Sequence, residues 1–165
     1  MPVYEDDTNR PKRFRVVYSF DNERFYRIIS NEKQKSIRSK QKMEKDIFKE
    51  VAENLVMVLP EKWEKVCLYC HISDYTYQFS FHVKMNGNYI QCFELEKDYG
   101  ISEEDVLDCF DKLYSIALPD YEEKKFMVMT YILESSGKFV TEYDYNDCTE
   151  DPIAYKWDWE KKYLV

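Results

Sequence analysis

Cys67, Cys70 and His71 stand in the run VCLYCH, and their spacing is C-x-x-C-H. That pattern attaches a c-type haem, with two thiols on the porphyrin and the histidine on its iron. The same thiols could instead open a zinc site. The surrounding residues argue against both. KVCLYCHI reads as a strand, and positions three apart on a strand face opposite sides of the sheet. Cys67 and Cys70 therefore diverge. Cys92, Cys109 and Cys148 are isolated, so no second ligand pair completes a tetrahedral site. The expectation is no metal and no cofactor.

Other catalytic signatures are equally thin. The chain has no G-x-S-x-G elbow, no phosphate-cradling glycine loop and no H-E-x-x-H. Its two histidines, His71 and His82, leave little general-base capacity near neutral pH. Cys70 paired with His82 or His71 is one arrangement left open; neighbouring strand residues are the plainer account. An enzyme is not expected. Five cysteines and no apolar h-region in MPVYEDDTNRPKRFR predict reduced, buried thiols in a cytoplasmic chain. No apolar run reaches the roughly eighteen residues of a membrane-spanning helix.

The elements that position these residues follow from periodicity. FRVVYSF and RFYRIIS flank Asp21-Asn22 as a β-hairpin, with Phe14, Val16, Tyr18 and Phe20 on one face. Residues 1–42 are thus expected as a basic leader, a possible hairpin followed by a solvated helix or linker, ahead of a body over 43–165. Met43, Ile47, Val51, Leu55 and Leu59 recur every four residues and predict an amphipathic helix stopped by Pro60. Three strands follow: KVCLYCHI, YTYQFSFHV and NYIQCFEL. Tyr75, Tyr77, Phe79, Phe81 and Val83 make the second strand's apolar face, and Asn86-Gly87 its tight turn.

Ser102 is placed to cap a second helix, whose stripe is Val106, Leu107, Phe110, Leu113, Tyr114 and Ala117, ended by Pro119. KFMVMTYIL and KFVTEYDY flank the turn Ser135-Ser136-Gly137. Asp151-Pro152 could start a last helix, although Trp157 and Trp159, two apart, also suit a strand. The order is hairpin-α-βββ-α-ββ-α. That predicts an α+β fold, an antiparallel sheet with helices packed on one face.

Charge supplies the remaining signal. The net charge is −8, but residues 1–50 carry thirteen basic and nine acidic side chains, while residues 51–165 carry eleven and twenty-three. One acidic group runs through Glu94, Glu96, Asp98, Glu103, Glu104, Asp105, Asp108 and Asp111, beside Tyr99. A second holds Glu142, Asp144, Asp147, Glu150 and Asp151, beside Tyr143 and Tyr145. A solvated surface explains such runs as well as a function does. The functional reading is carboxylates interleaved with tyrosines that mimic phosphate and base, and so block a basic groove. A negative body does not itself favour nucleic acid.

Residues 43 to the C-terminus resemble the YezG-like family of bacterial immunity proteins. The matching stretches are LPEKWEKVCLY, YTYQFSFHV, YGISEEDVLDCFDKLY and ESSGKFVTEYDYND, with the Trp-rich terminus. Cys67, Cys70 and His71 lie outside the family pattern. The resemblance implies a cytosolic, cofactor-free antitoxin that binds the C-terminal domain of a secreted polymorphic toxin, often a nuclease. It also implies scaffold roles for Trp63, Phe139 and Tyr145. Joined to the charge reading, it makes Glu94, Glu96, Asp98, Tyr99, Glu103, Glu104, Asp108, Glu142, Tyr143, Asp144 and Asp147 the candidate toxin-binding residues. The leader departs from the match, and its hairpin could extend the sheet edge, join two copies or touch the toxin. The alternative is a regulatory module whose basic leader, thirteen basic against five acidic residues from Arg10 to Lys49, binds nucleic acid or another protein.

Overall fold

The computed structural model describes residues 13–19 and 40–165. Its elements run β1 (Arg13–Ser19), α1 (Lys40–Val56), β2 (Lys65–Ile72), β3 (Tyr77–Met85) and β4 (Asn88–Gln91). A 3₁₀ turn (Cys92–Glu94) leads to α2 (Leu95–Tyr99), α3 (Glu103–Lys124), β5 (Val128–Glu134), β6 (Lys138–Asp144) and α4 (Pro152–Tyr163). The fold is α+β in the order the sequence predicts. One sheet has the spatial order β1-β6-β5-β2-β3-β4, and every neighbouring pair in it is antiparallel. The first strand of the expected hairpin is β1, paired with β6 of its own chain; RFYRIIS and the linker lie outside the described residues.

Strand alternation sends β2 side chains into two cores. Val66, Leu68, Cys70 and Ile72 join Phe48, Val51, Ala52 and Leu55 of α1 and Val106, Phe110 and Leu113 of α3 in the larger core. Cys67 and Tyr69 join Val128, Cys148 and Trp159 in a smaller one, flanked by Tyr155 and Tyr163. Cys67 and Cys70 are each 0% exposed, on opposite sides of the sheet. The thiols diverge as strand geometry requires.

The helices do not all share one face. α1 and α3 cover the larger core, whereas α4 packs on the other side, which corrects the one-face expectation. Asp151 and Pro152 start α4 as a helix, with Asp151 Oδ1 accepting from Ala154 N–H at 3.0 Å. Trp159 is then buried edge-on to Tyr69 (centroids 5.3 Å apart), its Nε1–H donating to Thr130 Oγ1 at 2.8 Å. Trp157, two residues earlier, is exposed, as 100° per residue demands. Lys156 lies over the Tyr69 ring at 3.7 Å from its centroid, with its ammonium on Ser80 Oγ. His82, read as part of a polar outer face, is buried beneath this helix.

Several boundaries shift for local reasons. α1 begins at Lys40 and ends at Val56, ahead of Pro60, where Val58 and Leu59 turn back onto Leu55 and Val56 carbonyls. α3 does not end at Pro119 but runs to Lys124. Beyond the proline, Asp120 and Lys124 form a buried ion pair one turn apart, and Tyr143 O–H donates to Asp120 Oδ2 at 2.6 Å. Those contacts hold the last turn in spite of the amide that proline lacks. Lys125 closes it in the left-handed region, φ 51°. Tyr75 precedes β3 and is exposed, and Leu107 points outward from α3, 48% exposed. Asn86 and Gly87 have φ 49° and 78°, the positive pair that a two-residue hairpin turn needs.

Candidate partner-binding surface

The first acidic group is organised by a run of caps at the β4 end of the sheet. Gln91 and Glu94 cap the 3₁₀ turn reciprocally: Gln91 Oε1 accepts from Phe93 N–H at 2.9 Å, and Glu94 Oε2 accepts from Gln91 N–H at 3.3 Å. Gly100, at φ 68°, ends α2 and donates to the Glu96 carbonyl. Ser102 Oγ then accepts from Asp105 N–H at 3.1 Å and starts α3. Glu103, Glu104 and Asp105 occupy its first turn, where the helix dipole favours negative charge. Cys92, Leu95, Val106, Cys109 and Phe110 are buried and anchor the corner.

Between those anchors Ile101 packs partly against the larger core and Ser102 is half-buried, while the acidic side chains face solvent. Glu94, Glu96, Asp98, Tyr99, Glu103, Glu104 and Asp108 are exposed, seven of the predicted residues on one continuous corner. Phe93 and Leu107 are exposed among them, at 40% and 48%. Sequence reasoning missed both. Leu107 looked like part of the α3 core stripe, and only the observed helix phase moves it outward. Phe93 falls on the solvent side because the 3₁₀ turn buries Cys92 and Leu95; the C-F-E-L run offered no distinct mark of that. Residues 94–112 carry eight carboxylates and two lysines around these apolar side chains.

The second group is built differently. Tyr143 and Asp144 are buried, so the expectation that they lie on an open acidic face is corrected. Tyr143 faces the larger core and bonds Asp120. Asp144 faces α4 and accepts from Tyr155 O–H at 2.8 Å and from Asn146 N–H and Nδ2 at 2.9 and 2.7 Å. Glu142 is half-buried between Lys162 Nζ (3.0 Å) and Tyr163 O–H (2.5 Å), on the wall of a cleft of about 260 Å³ between β6 and α4. Asp147 is exposed in the following loop, where it accepts from Thr149 Oγ1–H and N–H; these bonds hold its carboxyl below the usual range. β4 and β6 are four strand spacings apart, about 19 Å at the usual separation. The two acidic groups are therefore separate surfaces.

The thiols and histidines form no reactive pair among the described residues. Cys70 faces away from His71, and His82 stands opposite Cys67 in register. His71 Nδ1 lies 2.6 Å from the Met127 carbonyl, which can only accept, so this nitrogen is the donor. It is then no base for Cys148 Sγ at 3.5 Å. Burial raises the thiols of Cys67 and Cys109, to about 11 and about 12, away from the reactive thiolate. No group of three or more His, Cys, Asp or Glu among the described residues is arranged to hold a metal ion. No described helix is long and apolar enough to cross a membrane.

The fold and its acid-rimmed corner can be set beside known proteins. The family model described as "Immunity protein YezG-like" matches residues 43–164. A curated relative, the protein named Immunity protein YezG of Bacillus spizizenii, is 23% identical over 110 residues, covering 62% of this chain and 68% of its own length. The family match takes in both helices of the larger core, the capped corner, strands β2 to β6 and α4, so the chain belongs to the YezG-like immunity protein family.

Proposed function

We propose that this immunity protein neutralises a cognate toxin domain by covering its active site with the corner formed by α2 and the start of α3. The observation that carries the reading is the combination there of a strong negative excess with exposed Phe93, Tyr99 and Leu107. Rigid aromatic and apolar side chains inside a charged rim suit an interface, because the centre excludes water while the rim selects the partner. The complementary surface is a basic cleft, as found in an enzyme that cleaves nucleic acid, met in the cytoplasm. Opposite fields would speed encounter about 10- to 1000-fold at low salt.

The test is titration against the toxin domain encoded beside the protein, with toxin activity as readout. Glu103→Lys, Glu104→Lys and Asp108→Lys together should slow association at least tenfold and abolish protection, with an unchanged circular dichroism spectrum. Unchanged affinity and protection in that triple variant would exclude this corner as the contact.

A further inference from the structure

The other end of the sheet carries a separate signal, independent of the corner just described. The family match begins at residue 43, so within the matched body β6 is the outermost strand. An outermost strand offers a row of main-chain N–H and C=O groups to any extended chain. Here that row is taken by β1 of the same protein, whose register runs from Arg13 opposite Asp144 to Ser19 opposite Lys138.

The register matches residue types on both faces. Arg13 stands opposite Asp144 and Arg15 opposite Glu142, two basic positions set against two acidic ones on the α4 side. Phe14, Val16 and Tyr18 stand opposite Tyr143, Thr141 and Phe139, all three buried. A one-residue slip would set the arginines against that buried row. The segment now on the β6 edge is thus one in which basic residues alternate with aromatic or β-branched ones. Twenty residues of sequence separate β1 from α1.

We propose that the β6 edge is a strand-accepting site for an extended basic–aromatic polypeptide segment of a partner, and that β1 is its built-in competitor. Main-chain ladder bonds supply affinity in such a site, and alternate side chains supply specificity. An occupied edge lowers the apparent affinity for an outside strand by the fraction of time it is open. It also keeps the edge from pairing with other copies.

The experiment uses the full chain and a fluorescent peptide of residues 12–20, KRFRVVYSF. Two variants loosen β1 without touching the body: Arg13→Glu with Arg15→Glu, and Val16→Pro with Val17→Pro. Peptide affinity by fluorescence anisotropy should be at least tenfold tighter for both variants than for the unmodified protein. The control peptide KEFEVVYSF should not bind. Hydrogen exchange at β6 amides should rise in the variants and fall again with KRFRVVYSF. Absence of binding to either variant, equal affinity for all three proteins, or protection of β4 instead of β6 would overturn the proposal.

Discussion

The two acidic stretches look alike in composition and end up in opposite roles. Between Glu94 and Asp111 the carboxylates sit on caps and on the outer side of α3, where their charges stay hydrated. Glu142 and Asp144 instead fall on a strand whose two sides are both covered, and are drawn into bonds with α4 and its neighbours. A carboxylate's role is set by whether its element leaves it a side open to water. A buried one must be fully bonded, whereas an exposed one can wait for a partner.

Breaking the buried side of this contrast should have the largest effect. Asp120→Ala leaves Lys124, 1% exposed, without its ion-pair partner, and should cost about 3–5 kcal/mol in denaturant unfolding. A loss below about 1 kcal/mol would mean that this pair does not hold the end of α3.

A pH scan probes the covered β3–α4 side. Burial, and to a smaller extent the charge of Lys156, depress His82 from 6.5 to about 4, while Glu94 opposes them. The unfolded chain therefore binds a proton that the folded chain refuses. Stability present above pH 6.5 should drain away as pH falls towards 4, by about 2–3 kcal/mol. His82→Gln should flatten that part of the profile; an unchanged slope would assign it to the carboxylates.

Asp144→Ala strands Tyr155 O–H and the Asn146 donors, and should cost about 1–3 kcal/mol. Ser102→Ala removes a cap from the exposed corner and should cost about 1 kcal/mol. Smallest of all, charge reversal at Glu96 and Asp98 should move the melting midpoint by no more than about 0.5 kcal/mol equivalent, while slowing partner association. If Glu96→Lys and Asp98→Lys destabilise as much as Asp144→Ala, the contrast fails.

Much of this architecture was legible because local rules and tertiary packing agree. The Asn86-Gly87 turn, the Ser102 cap, the Asp151-Pro152 start and the divergence of Cys67 from Cys70 each depend on one or two residues and their neighbours. The misreadings arise where a distant contact decides. Pro119 marks a helix end unless Asp120, Lys124 and Tyr143 meet behind it, and Tyr143 lies 23 residues beyond Asp120. The side of the sheet that α4 covers depends on which strand face it meets, which periodicity within α4 does not specify. Within the candidate surface, the exposure of seven residues was readable from the capped, charged run that leads into α3. The burial of Tyr143 and Asp144 was not, because a strand buried on both sides reads locally like an alternating one when its polar residues are fully bonded.

The strand that sends Cys67 one way and Cys70 the other acts as a protecting group. While the sheet stands, neither sulphur can reach the other, and oxidants meet no accessible thiolate at either. Once the sheet opens, C-x-x-C becomes a short flexible segment able to close into a disulfide that the folded sheet cannot accommodate. Alkylation of these two thiols should therefore clock global opening of the sheet, and brief unfolding under oxidising conditions should leave a covalent record that blocks return.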